Sequence, residues 1–170
     1  VEKPMALTIE GCDRIIKASE TTGCLLYVGH NMRHMDFIQK MKKLIDSGTI
    51  GEVKAVWCRH FIGAGGDSYF RDWHADRRYS NSLLLHKGSH DLDIIHWLGG
   101  ASGSMVNAVG NLAVYDNAHC DGSDCDDESW PPMSLKGRNS VVDVEDISMV
   151  QMQLKNGVMA SYQQCHFSPD

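Results

Sequence analysis

Asn156-Gly157 stands between two runs of alternating character, Ile147 to Leu154 and Val158 to Phe167. Two adjacent residues that tolerate positive φ build a reversal whose twist matches that of paired strands, so this dipeptide predicts a β-hairpin near the end of the chain. The beginning has a different period. Leu7, Ile9, Cys12, Ile15, Ile16 and Ala18 recur as on one helix, with Thr8 and Thr21-Thr22-Gly23 as boundary signals. Cys24 to Gly29 then reads as a buried parallel strand, making these residues the tail of an α/β unit. Phe37, Met41, Leu44 and Ile45 give an amphipathic helix that Gly48 ends. After Gly51 the period becomes two: Val53 to Ile62 is β-rich, Gly63 to Gly66 is a flexible turn, and Met105 to Tyr115 alternates again. No internal repeat interrupts this order.

Charge and cysteine content narrow the partners. A net charge of −6 without a basic stripe offers nothing to release counterions from a phosphate backbone, so nucleic acid is excluded as a partner. No apolar run approaches the roughly 18 residues needed to span a bilayer, and no signal peptide precedes Val1, so no membrane partner is expected and the location reads as cytoplasmic. Cys12, Cys24, Cys58 and Cys165 fall in or beside helices and strands, where a reduced thiol acts as a small buried hydrophobe. Cys120 and Cys125 sit in a polar loop with His119 and several acidic residues. A metal, a loop disulfide and a solvated acidic loop all fit that stretch; a closed zinc site needs four ligands and no second cysteine pair follows, so no metal site is assigned. The segment Asp116 to Asn139, with Pro131-Pro132, reads as a long excursion.

Leu85 to Leu98 crowds three histidines, a lysine and two carboxylates onto what reads as one helix. His86, His90 and Asp93 fall at i, i+4 and i+7 and share a face, while Leu92, Ile95 and Leu98 form a separate apolar face. Such a polar face suits a cleft where protons move. Asp93 reads as a group that orients an imidazole, Asp91 as solvent-facing, and His96 and Trp97 as packing at the helix end. Upstream, Trp73, His74, Asp76 and Arg77 could line an approach to this helix, and Arg33 follows the predicted strand.

Taken together, Glu2-Lys3-Pro4, Gly29-His30-Asn31-Met32-Arg33, Met41 to Val53, Trp73-His74-Ala75-Asp76, the His90 helix and the hairpin from Val144-Glu145-Asp146 onward follow one order. That order resembles the oxidoreductases related to glucose-fructose oxidoreductase and inositol dehydrogenase, the Gfo/Idh/MocA family, over roughly residues 1–115 and 143–167. The resemblance implies an α+β fold: the tail of a Rossmann α/β unit, then a large open, mostly antiparallel β-sheet with helices on one face. Residues 1-31 would be the remnant of a dinucleotide-binding domain and 32-170 a substrate and oligomerisation domain, incomplete at its C-terminus. No Gly-x-Gly-x-x-Gly follows an opening strand, so the chain is expected to be a fragment of a longer enzyme whose activity alone is doubtful.

The resemblance further implies an NAD(P)-dependent dehydrogenase acting on the CH-OH group of a sugar or polyol, with NAD or NADP as cofactor and a homo-oligomer formed through the open sheet. His90 corresponds to the catalytic histidine and Lys3 to the lysine that holds the reacting hydroxyl; His86 and Lys87 complete the catalytic set. Glu2, Lys3, Pro4, Asn31 and Arg33 fall at the cofactor, and Trp73, His74, Asp76, Arg77 and Asp93 at the substrate. Many relatives carry an aspartate where His86 stands, and Ser80-Asn81-Ser82-Leu83 replaces a Gly-rich run, which points to a different substrate or an altered reaction. An NAD-dependent glycoside hydrolase of the same fold and a non-catalytic sheet-mediated dimerisation domain are the competing readings.

Overall fold

The computed structural model describes residues 1–116 and 139–168; the loop holding Cys120 and Cys125 lies outside them. Helix α1 spans Ile9–Thr22, capped at its start by the Thr8 side chain, which accepts from Gly11 N–H, and ended by Gly23 at φ 71°. Helix α2 spans Asp36–Asp46 and is followed by Gly48 at φ 72°. Strand β1, Ala55–Phe61, leads through α3 (Ser68–Arg71), a 3-10 turn at Trp73–Ala75 and α4 (Arg77–Ser80) to α5 (Leu83–His86) and α6 (Gly88–Gly99). Strands β2 (Gly103–Asn111), β3 (Ile147–Leu154) and β4 (Met159–Cys165) complete the sheet.

The strand order is β1-β4-β3-β2, with β2/β3 and β3/β4 antiparallel and β1/β4 parallel. This is the expected open, mostly antiparallel sheet. The hairpin closes through Leu154 N–H to Val158 O at 2.8 Å, with Gly157 at φ 86°, a conformation that a side chain would strain. Asn156 Nδ2 donates to Gly99 O at 2.8 Å, tying this turn to the end of α6.

Alternation decides which face of the sheet is covered. Val150, Met152, Leu154, Ala160 and Tyr162 point to one side and pack with Ile95 of α6. A second cluster joins α2 to α6 through Ile38, Ile94 and Leu98. The opposite face carries Trp57, Met105, Val109, Met149 and Met159, all half-exposed or more.

Two sequence expectations change. Cys24 to Gly29 forms no strand: Leu25 is fully exposed, and the segment's backbone bonds run to Val1 (Val1 N–H to Tyr27 O, 2.8 Å; Gly29 N–H to Val1 O, 2.9 Å) rather than to a sheet. A ladder needs neighbouring strands, and the described residues supply none there. Cys24 is likewise exposed, unlike the buried Cys165.

Two neighbouring carboxylates ahead of β3 tie it to α5 and to the segment after β2. Glu145 accepts from Leu84 N–H at 2.7 Å, while fully buried Asp146 accepts from the N–H groups of Ala113, Val114 and Tyr115 at 2.8, 2.7 and 2.9 Å. Asp146→Ala would strand three N–H donors away from water, so we expect a loss of about 3 kcal/mol in urea unfolding. An unchanged midpoint would remove Asp146 from this role.

Candidate active site

The predicted helix over Leu85 to Leu98 is two helices meeting at Lys87, so His86 ends α5 and His90 lies in the first turn of α6. At the start of α6 the backbone lies close to the sheet. A Cβ at Gly88 would stand 3.1 Å from Tyr162 Cε1 and 3.2 Å from Gln164 Oε1, so a larger residue there would push these side chains of β4 aside. Ser82 caps α5 by accepting from Leu85 N–H at 2.9 Å.

Lys3 reaches this junction from the other end of the chain. Its Nζ donates to His86 O at 2.7 Å, and the Lys3-Pro4 peptide is cis. Aromatic packing gathers the other rings: Trp73 stacks on His74 with centroids 3.9 Å apart, and His74 and Trp73 meet the His86 ring edge-on at 4.6 and 5.2 Å. The Nδ1 atoms of His30, His74, His86 and His90 are buried and make no hydrogen bond among the described residues. Those of His74 and His30 come only within 3.5 Å of Asp72 and 3.8 Å of Asp93, too long for good bonds.

Burial and nearby cations favour the neutral forms of His74, His86 and His90. Burial, then Lys3, His74, His90 and Lys87, brings His86 down to about 4; burial followed by Lys3 and Lys87 lowers His90, and burial lowers His74. Burial and the neighbouring Lys87 ammonium lower Lys3 as well. A neutral imidazole beside an ammonium can accept a proton from a hydroxyl while the cation stabilises the alkoxide.

Beneath His90 runs a buried polar network that sequence reading missed. Asp91, expected to face solvent, is only 4% exposed: its Oδ2 accepts from Tyr162 Oη at 2.9 Å and lies 2.8 Å from His60 Nδ1. Gln164 lies 2.8 Å from Tyr162 Oη and 2.8 Å from His166 Nε2. One hydroxyl proton cannot serve two acceptors. The charged carboxylate takes it, so the Gln164 amide donates to the Tyr162 oxygen and accepts from His166. Burial, then His60 and Lys87, pushes His166 down to about 3. The available signal was Tyr162, Gln164 and His166 at alternate positions of a strand whose other core residues are apolar.

The remaining predicted site residues divide. Trp73 and His74 join the cluster. Asp93 instead holds Arg33 in a two-pronged pair (2.7 and 2.5 Å), with Arg33 over the Trp97 ring at 5.3 Å. Asp76 is buried, caps α4 through Arg78 N–H and pairs with the Arg78 guanidinium; Arg77 bonds Asp143 O and Asn81 O. Glu2 and Asn31 are exposed beside the Val1 to Gly29 backbone pairing. A concavity of about 770 Å³ between the ends of α2 and α6 and the β3–β4 turn holds none of these groups.

Comparison with known proteins follows this geometry. The sequence profile described as the GFO/IDH/MocA C-terminal domain matches residues 38–170. YteT of Bacillus subtilis, whose oxidoreductase assignment is itself inferred, is 32% identical over 133 residues, 78% of this chain and 29% of its own length. Inositol 2-dehydrogenase of Ralstonia nicotianae is 36% identical over 58% of this chain and 27% of its own. The chain thus spans under a third of these relatives. The aldose-aldose oxidoreductase of Caulobacter crescentus has the same fold, with TM-score 0.76 at 24% identity over 99% of this chain and 43% of that one. So does the WlbA dehydrogenase of Bordetella pertussis, solved with NADH and UDP-GlcNAcA (0.74, 22%, 98% and 44%).

His86 and His166 bind protons less readily folded than in an unfolded chain, where the value is near 6.5. Their stabilisation is therefore complete above pH 6.5 and lost as pH falls toward 4 and 3. We expect their ring nitrogen shifts to remain those of neutral imidazole at pH 5.5, and His166→Gln to flatten the decline of unfolding free energy between pH 6.5 and 4. Protonated rings at pH 5.5 would contradict the burial argument.

Proposed function

Because the chain belongs to the GFO/IDH/MocA family of oxidoreductases, we propose that it forms the substrate-side part of an NAD(P)-dependent dehydrogenase acting on the CH-OH group of a sugar or polyol. The observation that carries this reading is the meeting of Lys3 with His86 and the neutral His90 across more than eighty residues of chain. Lys3 is thereby held at the end of α5, beside His74, His86 and His90, whose neutral forms burial favours.

Lys3 donates to the reacting hydroxyl and stabilises its oxygen as the proton leaves. His90 accepts that proton, its ring being neutral near pH 7. Trp73 offers an aromatic face for the carbon side of a sugar, and His74 and His86 offer ring nitrogens to neighbouring hydroxyls. A bound nicotinamide supplies the hydride acceptor, so that CH-OH and NAD(P)⁺ become C=O, NAD(P)H and one proton. The residues present suit such a group at one edge: Val1 to Pro4 and Tyr27 to Arg33 lie side by side, paired through backbone bonds. Glu2, Lys3, Pro4, Asn31 and Arg33 would hold it there, Arg33 with its charge already matched by Asp93. In this reading residues 1–31 close a dinucleotide-binding domain and the rest forms the substrate domain.

His90→Ala and Lys3→Met in the full-length protein are expected to lower kcat by about 10²- to 10⁴-fold in an assay of NAD(P)H formation with polyols and aldoses. Near-normal turnover in both variants would sink the assignment.

The same reading assigns the uncovered sheet face to a second copy of the chain. Trp57, Met105, Val109, Met149 and Met159 there alternate with the amides of Asn107, Gln151 and Gln153, a surface that can pack against itself. Met159→Lys is expected to reduce the mass seen by light scattering to that of the monomer, whereas a monomeric wild-type protein would refute the pairing.

A further inference from the structure

Asp91 is the acidic residue in the first turn of α6, next in the chain to His90, and it is buried against the sheet. Its Oδ2 accepts from Tyr162 Oη of β4 at 2.9 Å and lies 2.8 Å from His60 Nδ1 of β1. Two donors converging on one oxygen favour the charged carboxylate, and so does the positive end of the helix. The His90 ring has no comparable tether. Its buried Nδ1 makes no hydrogen bond among the described residues, so the backbone of α6 is what places it. Burial, Lys3, Lys87 and His30 disfavour a proton on that ring, whereas Asp91 favours one; His86 is close enough to feel the same charge in turn. The other titratable groups beside Asp91 are Lys3, on which exposed Glu2 also acts, and Cys58, whose thiol burial pushes up to about 11 and so keeps uncharged near pH 7.

Resting on the reading of His90 as the proton acceptor, we propose that Asp91 is a positioning residue for that step: Tyr162 and His60 hold its carboxylate beneath the first turn of α6, where the fixed negative charge stabilises the imidazolium that His90 becomes. The hydroxyl proton passes to His90 and the hydride from the same carbon to the nicotinamide, while Asp91 neither gains nor loses a proton. A carboxylate set in a buried hydrogen-bond network cannot turn away as the imidazolium forms, and in that setting its attraction is screened less than it would be in water. Without it the new positive charge would arise beside two ammonium groups.

Asp91→Asn in the full-length protein keeps the shape of the side chain and an oxygen for Tyr162 and His60, and removes the charge. We expect kcat for polyol or aldose oxidation to fall about tenfold or more with KM within about twofold. The acid limb of kcat/KM should move to lower pH, because His90 loses the charge that favours its protonation. A residue that only seats α6 on β4 would leave that limb in place. Wild-type kcat, or a loss of kcat with an unmoved limb, overturns the proposal while leaving the dehydrogenase reading intact. Tyr162→Phe keeps the charge and the His60 contact, so its acid limb should stay where the wild type has it; a limb displaced to lower pH in this variant overturns the proposal even where Asp91→Asn fails to fold. If the wild-type protein forms no NAD(P)H from any polyol or aldose, the dehydrogenase reading falls. Titration of the His90 ring nitrogens by NMR then decides separately whether Asp91 stabilises the imidazolium: a lower midpoint in Asp91→Asn supports it, and an equal one overturns it.

Discussion

Helix α6 lies against β4 so closely that a side chain at position 88 would crowd Tyr162 and Gln164, and most of the site hangs on that contact. With α6 held there, Asp91 drops onto the Tyr162 hydroxyl, Ile95 enters the sheet core, and His90 is carried to the junction where His86 and Lys3 meet. The packing of one helix on one strand therefore sets core and chemistry together. Glu145 and Asp146 secure the arrangement from the sheet side by bonding α5 and the segment after β2.

Burial and charge divide the polar groups into two layers. Below, Asp91, Tyr162, Gln164 and His166 satisfy one another along the inner face of the sheet, with His60 at the margin. A buried polar network of this kind is tolerated because nearly every member has a partner, and it gives α6 a unique seat on β4. Above, His74, His86 and His90 at the α5–α6 junction are only half-buried, and their Nδ1 atoms lack such partners. Desolvation and the nearby cations favour the neutral forms of His86 and His90, which suits them to proton transfer from a ligand rather than to structural pairing.

Much of the architecture was legible from local chemistry. The Asn156-Gly157 reversal, the Thr8 cap, the Gly23 and Gly48 stops and the alternation of Ile147 to Leu154 each act over a few residues, and each element appears where its signal lies. Cys24 to Gly29 shows the limit: its apolar run favours a strand, but a strand exists only through neighbours, and here its backbone bonds run to Val1. The break at Lys87 was hidden as well, since helical periodicity alone does not mark it.

Among the expected site residues, Trp73, His74 and His86 pack ring against ring, whereas Asp76, Arg77 and Asp93 are engaged in pairs and caps. The sequence by itself determined which residues can handle protons, where helices and strands begin and end, and that a hairpin closes the sheet, because those properties reside in single side chains and short windows. Only the tertiary structure decided that Lys3 reaches His86, that Asp91 is buried beneath His90, and that Lys87 joins two helices. Those facts depend on distances between segments far apart in the chain, which packing sets and no local pattern encodes.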